Sequence, residues 1–211
     1  VETRVGRIED HLDALDNLDL LVVGLDGENA KYALNQICLG RGLTAVYAGV
    51  YERGEGGDVV VIRPYDGPCY ACWAAELREG FITPAQGVQE LDYGMIGPDG
   101  TLAAEPGLWL HVVRVAAAQA DLALNELLRG TAAHRQMPAN TVILANAALE
   151  ILNGQISQPY TAEWVQIERD PACLVCSAAL RQERVQAFEA PAVSLEDLAH
   201  AAGIALEEEA E

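Results

Sequence analysis

Four cysteines in two C-x-x-C pairs, Cys69-Tyr70-Ala71-Cys72 and Cys173-Leu174-Val175-Cys176, are the residues of this chain best suited to chemistry. Each pair presents two thiolates from one tight turn. Four sulfurs brought together make the tetrahedral set that Zn²⁺ takes in closed, structural sites. Between the pairs lie 100 residues, 73 to 172, so a shared ion would staple distant segments. Four thiolate ligands would leave no open position for catalysis. Two other readings stand beside this one. One is a thioredoxin-like redox pair, although Cys69 follows a proline-rich strand exit rather than opening a helix after a βαβ start. The other is a pair of surface knuckles without a metal. The fifth cysteine, Cys38, lies on an apolar helix face and reads as a small core residue.

A second candidate is Asp26, which follows the apolar run Leu18 to Leu25 directly. A carboxylate at the carboxyl end of a buried strand lies in the crevice where α/β sheets place ligands. The competing reading is a cap on the helix that starts near Glu28, a position aspartate favours. Lys31 and Asn35 are four residues apart and share a helix face, with Glu28 three residues before Lys31. They make either a polar stripe that meets a ligand or a solvated face with an ion pair. The glycine cluster Arg53-Gly54-Glu55-Gly56-Gly57-Asp58 stands between two strands and lacks G-x-G-x-x-G spacing, so it is read as a hairpin turn. The four histidines, His11, His111, His134 and His200, show no ligand spacing.

The elements that must position these residues follow from periodicity. Ile8, Leu12, Leu15 and Leu18 predict a short helix. The run from 18 to 25 predicts a strand buried on both faces. A helix over 28–41 has Ala33, Leu34, Ile37 and Cys38 as its apolar face and is closed by Gly40 and Gly42. Thr44 to Tyr51 then completes a βαβ unit with parallel strands. A strand over 59–63 leads to the first cysteine pair, and a short helix runs from Trp73 to Arg78. Residues 80 to 105 lack periodicity and read as a long loop. A long helix should start at Pro106, bury Val112, Val115, Ala116, Gln119 and Leu122, and end at Gly130. Strands over 141–145 and 160–167 should form an antiparallel pair or lie at a sheet edge, and the second cysteine pair follows. Helices over 178–188 and 194–201 close the ordered part.

Composition sets the outer limits. With 13 Lys and Arg against 32 Asp and Glu the formal charge is −19. Nucleic acid and anionic lipid both need clustered cations, so neither is an expected partner. Charged and polar residues interrupt the apolar stretch 108–128, which excludes it as a membrane span. Paired cysteines suit a reducing compartment, and a cytoplasmic location is expected. The tail Glu207-Glu208-Glu209-Ala210-Glu211 reads as a solvated, disordered end. The first residue is Val1 and no signal peptide follows it, so a fragment or a processed domain is expected. Its organisation is a main domain over 1–177 and a helical, acidic extension over 178–211.

Taken in order, these features resemble the ThiF/MoeB/E1 superfamily, the adenylating enzymes that activate ubiquitin-like proteins. The resemblance rests on the strand ending Leu25-Asp26, on Glu28-Asn29-Ala30-Lys31-Tyr32-Ala33-Leu34-Asn35, and on Tyr47-Ala48-Gly49-Val50. Gly-Pro-Cys-Tyr-x-Cys at 67–72 and Arg-Asp-Pro-x-Cys-x-x-Cys at 169–176 are its most specific parts. It covers residues 15 to 177 and implies the carboxyl-terminal part of a Rossmann-like α/β fold with a mixed sheet and a four-cysteine zinc knuckle. The N-terminal half that carries the family's glycine-rich nucleotide loop is not matched. Gly27 replaces the family's usual Asn, and Lys31 its usual Arg. By resemblance, Asp26 would hold Mg²⁺ and ATP while the C-terminal carboxylate of a ubiquitin-like or sulfur-carrier protein is adenylated, and Lys31 and Asn35 would face nucleotide or substrate. ATP and Mg²⁺ are expected only together with the missing half, and a homodimer is implied. No cysteine lies between Cys72 and Cys173, so no thioester step is expected on this chain. The alternative is a non-catalytic scaffold that binds a partner protein without ATP chemistry.

Overall fold

The apolar runs on either side of the first long helix pair as parallel strands, as a βαβ unit requires. In the computed structural model, which describes residues 1–77, 108–151 and 154–178, strand β1 (Leu21–Val23) lies beside β2 (Ala45–Val50), with Leu21 opposite Ala45 and Val23 opposite Tyr47. Helix α1 (Glu28–Arg41) joins them. Gly42 ends it in the left-handed region at φ 66°, where its N–H returns to the Cys38 carbonyl. The remaining pairings are antiparallel. Strand β3 (Gly56–Ile62) pairs with β2, β4 (Thr141–Ala145) with β3, and β7 (Ala162–Val165) with β4. The order β1-β2-β3-β4-β7 makes a mixed five-stranded sheet. A small hairpin, β5 (Leu149–Glu150) with β6 (Ile156–Ser157), stands apart from it. The chain divides into two compact units, Val1–Cys176 and Ser177–Glu211.

Alternate residues of the strands feed two cores. On one face Val23, Ala45, Tyr47, Val60 and Ile62 pack with Leu34 and Cys38 of α1 and with Tyr70 and Trp73 of α2 (Tyr70–Leu77). On the other, Val46, Val59, Val61, Val142 and Leu144 pack with Val115, Leu122 and Ala123 of α3 (Trp109–Leu127). Strand β3 is buried at every position because it is central and covered on both faces.

Several expectations need correction. The segment from Ile8 is a 3₁₀ helix over Ile8–Leu15, kinked at His11, so Leu15 is buried while Leu12 and Leu18 are exposed. Strand β1 is shorter than its apolar run and is an edge strand of the described sheet. Val22 is therefore 50% exposed rather than buried. On α3, Val115, Gln119 and Leu122 point inward, but Val112 and Ala116 are exposed. Only one stripe of that helix meets the sheet, and its alanine-rich composition does not reveal which. Strand β3 begins at Gly56, inside the cluster read as the turn, since the reversal is completed at Glu52–Gly54. The segment 160–167 pairs antiparallel with β4 and also forms a sheet edge, over Ala162–Val165 alone. The predicted loop 80–105, the start at Pro106, and the helices and acidic tail beyond 178 lie outside the described residues. No helix among the described residues is long and apolar enough to cross a membrane.

Gly57 has a packing reason for being glycine. A Cβ there would stand 2.5 Å from the Gly49 carbonyl oxygen and 2.5 Å from Val115 Cγ2. Neither the β2 backbone nor the stiff, buried Val115 side chain can yield cheaply. Gly57→Ala is expected to cost about 1–3 kcal/mol through overpacking, read as a lowered urea midpoint. An unchanged midpoint would contradict this packing.

Candidate functional site

Residues from two ends of the unit form one buried cluster. Cys69 precedes the first residue of α2 and Cys72 sits in its first turn, while Cys173 and Cys176 lie in the turn after β7. The helix therefore starts at Tyr70, earlier than its expected start at Trp73. Cys69 does open a helix, though after the antiparallel strand β3 rather than directly after a βαβ start, so the ground for setting a redox pair aside holds only in part. Geometry decides instead. All four sulfurs lie within 4.8 Å of one another, with separations of 3.7 Å for Cys69–Cys72, 3.8 Å for Cys69–Cys173 and 3.5 Å for Cys72–Cys176. A tetrahedron of thiolates about 2.3 Å from Zn²⁺ has edges of about 3.8 Å. Two redox pairs have no need to converge in this way. The cluster is closed by Leu39, Tyr65, Ala71 and Val175.

Local backbone chemistry suits thiolates. Val175 N–H donates to Cys173 Sγ at 3.4 Å. Burial pushes the Cys72 thiol up to about 11 and the Cys69 thiol well above its ordinary value. At Cys173 burial pushes the same way, but the N–H groups of Val175 and Cys176 outweigh it and bring the thiol down. Four adjacent thiolates repel, and a cation is what would let them coexist. The Arg169-Asp170-Pro171 lead-in shapes the turn. Arg169 donates to the Cys176 carbonyl and lies 5.9 Å over the Tyr65 ring. Asp170 accepts from Ala172 N–H at 2.8 Å, and its carbonyl accepts from Cys173 N–H at 3.1 Å.

Asp26 stands in the exposed turn between β1 and α1. The cap position of α1 is Gly27, with no side-chain cap, so the capping alternative for Asp26 is not realised. Among the described residues its carboxylate has no hydrogen-bond or ion-pair partner, which leaves both oxygens to solvent or a ligand.

Lys31 and Asn35 lie on the inner side of α1. Lys31 is 3% exposed and Asn35 1%, so the solvated-face alternative is overturned. The ion pair expected with it does form, at 3.1 Å between Lys31 Nζ and Glu28 Oε1. Tyr70 OH donates to the other Glu28 oxygen at 2.9 Å, and Tyr70 N–H donates to Asn35 Oδ1 at 3.0 Å. The Tyr70 ring packs at 4.5 Å from that of Tyr47, 5.2 Å from that of Trp73 and 5.5 Å from that of Tyr32. Through Glu28, Asn35 and Tyr70, helix α1 ties the Asp26 turn to the cysteine cluster. The hydrogen bonds that Tyr70 makes to Glu28 and Asn35 are what sequence reasoning missed. In the sequence Tyr70 figures only as part of the Gly-Pro-Cys-Tyr-x-Cys motif, with no contact assigned to it. Cys38 is buried, as expected of a core residue, and burial pushes its thiol up to about 11.

The model of the ThiF family matches residues 1–190. The chain belongs to the ThiF family. No curated protein matches its sequence. Among solved structures, E. coli MccB with ATP is similar at 14% identity and a TM-score of 0.47, over 83% of this chain and 45% of that one. E. coli MccB with MccA-N7isoASN is similar at 16% identity and a TM-score of 0.43, over 80% and 43%. The heterocyclase TruD is similar at 18% identity and a TM-score of 0.42, over 85% and 25%. This ThiF-family chain thus spans less than half the length of each of these proteins.

Proposed function

We propose that this chain is the zinc-stapled part of an E1-like adenylating enzyme acting on the C-terminal carboxylate of a ubiquitin-like or sulfur-carrier protein. The ThiF-family match over residues 1–190 carries this reading. It is supported by a free, exposed carboxylate, Asp26, at the carboxyl end of the parallel pair β1–β2, where α/β sheets bind ligands. Adenylation joins a carboxylate oxygen to the α-phosphorus of ATP and releases pyrophosphate. Such a reaction needs a hard oxygen ligand for Mg²⁺ on the phosphates, and Asp26 offers one. Cys69, Cys72, Cys173 and Cys176 would hold Zn²⁺ with no open position, so its contribution is structural. Lys31, paired to Glu28, would set the charge at the start of α1. The reading extends to a homodimer in the cytoplasm and to a main domain that ends near 177. Pyrophosphate exchange by the full-length gene product, stimulated by a carrier protein, is the expected result.

A second reading, a partner-binding scaffold without ATP chemistry, is favoured by one observation. The Lys31 ammonium is buried and neutralised by Glu28 rather than presented to solvent. Undiminished carrier binding in the absence of any exchange would establish that reading and sink the enzymatic one.

A further inference from the structure

Gln119 is a polar side chain in an apolar setting. It is 6% exposed, and Val115, Leu122 and Ala123 on the same inward stripe of α3 belong to the core against the sheet. An amide buried there is costly unless it finds hydrogen-bond partners. Its nitrogen Nε2 donates to the Val23 carbonyl at 2.9 Å and to the Val46 carbonyl at 2.9 Å, which uses both of its hydrogens. Two carbonyl partners also settle which end of the amide faces the sheet, because the side-chain oxygen could donate to neither.

The two carbonyls belong to different strands. Val23 is the last residue of β1, and Val46 lies on β2 opposite Val22. Strand β1 is three residues long and, among the described residues, pairs on one side alone. So short an edge strand has few ladder bonds to hold its end. Asp26 follows three residues after Val23. The turn that carries it has little packing of its own, since a Cβ at Gly24 or Gly27 would meet nothing within 4 Å. On its far side the turn is anchored by Lys31 N–H, which donates to the Gly27 carbonyl at 3.3 Å. On its near side Gln119 supplies the anchor.

We propose that Gln119 is a positioning residue for Asp26: from α3 its amide bridges the end of β1 to β2 and so fixes the point from which the Asp26 turn departs. A side chain sealed between α3 and the sheet is badly placed to touch nucleotide or substrate, so its effect passes through Asp26. Reacting groups tolerate little displacement, and a misplacement of about 1 Å costs about 10²-fold in rate. A clamp on the strand end therefore offsets the cost of burying an amide in an apolar core.

The inference rests on the reading of Asp26 as part of the adenylation site, and the test separates the two. Gln119→Met keeps the length of the side chain and removes the donors, so the urea midpoint should stay near the wild-type value. In the full-length gene product this variant should lose about 10–100-fold in the kcat of pyrophosphate exchange. In an Asp26→Asn background the same substitution should change the rate less than about two-fold, because a residue acting through Asp26 has nothing left to act on. Apart from activity, amide hydrogen exchange over residues 21–27 should speed up by about ten-fold while β3 and β4 keep their protection. Gln119→Leu is the second variant should the first not fold, and failure of both to fold would make Gln119 a structural residue and overturn the assignment. An unchanged rate, equal losses in both backgrounds, or unchanged hydrogen exchange over 21–27 overturns the Gln119 assignment alone. Wild-type protein without pyrophosphate exchange overturns the adenylation reading, and the positioning role with it.

Discussion

Cys72→Ser should lose zinc and much of the stability of the fold. The wild-type protein, purified under reducing conditions, is expected to carry one zinc per chain by elemental analysis, and the variant far less. The stability effect is large because a structural zinc site is not preformed in the unfolded chain, so its binding energy is folding energy. Here the ion would join α2 to the turn after β7 across 100 residues, 73 to 172. The two cores on the faces of the sheet remain without it, so a loss of about 3–5 kcal/mol is expected rather than complete unfolding. Chelation of the wild type should reproduce that loss, and added zinc should reverse it. Acid should weaken binding. The Cys69 and Cys72 thiols are pushed above their ordinary values by burial, so metal entry must release protons, and affinity falls as pH falls. Equal stability with and without chelator would refute the staple.

Asp26→Asn should abolish most pyrophosphate exchange in the full-length gene product and leave the fold untouched. Loss of a preorganised charge at a developing phosphate costs about 10²–10³-fold in rate. The fold should not notice, because Asp26 is exposed and neither caps α1 nor pairs with a described residue. The informative result is that contrast: exchange falls by at least about 100-fold while the urea midpoint and the zinc content stay at wild-type values. Exchange within a few-fold of wild type would remove Asp26 from the chemistry. A lowered midpoint would return it to a structural role.

Helix α1 shows how unevenly the sequence carries information. Its limits are legible because periodicity starts at Glu28 and Gly42 takes the left-handed conformation that ends it. Its polar residues mislead. Lysine and asparagine four apart suggest an outward stripe, yet both are buried, since Glu28 neutralises the lysine and the first turn of α2 needs the asparagine oxygen. Strand β1 errs in the opposite direction. An apolar run predicts burial on both faces, but a strand's position in the sheet is a tertiary fact, and an edge leaves Val22 half exposed.

The cysteine quartet divides along the same line. Two C-x-x-C turns are enough by themselves to single out four candidate ligands, because spacing within a turn sets which two sulfurs face the same way. Whether the two turns meet depends on β7 pairing with β4 and on α2 following β3, contacts between residues far apart in the chain. Only the folded sheet brings four sulfurs within 4.8 Å. Only the packing of α1 against α2 brings the Asn35 oxygen to the first N–H of the helix that bears Cys72. Short-range spacing is written in the sequence. Long-range convergence is decided by the fold, because it follows from the summed packing of elements that carry no local mark of their partners.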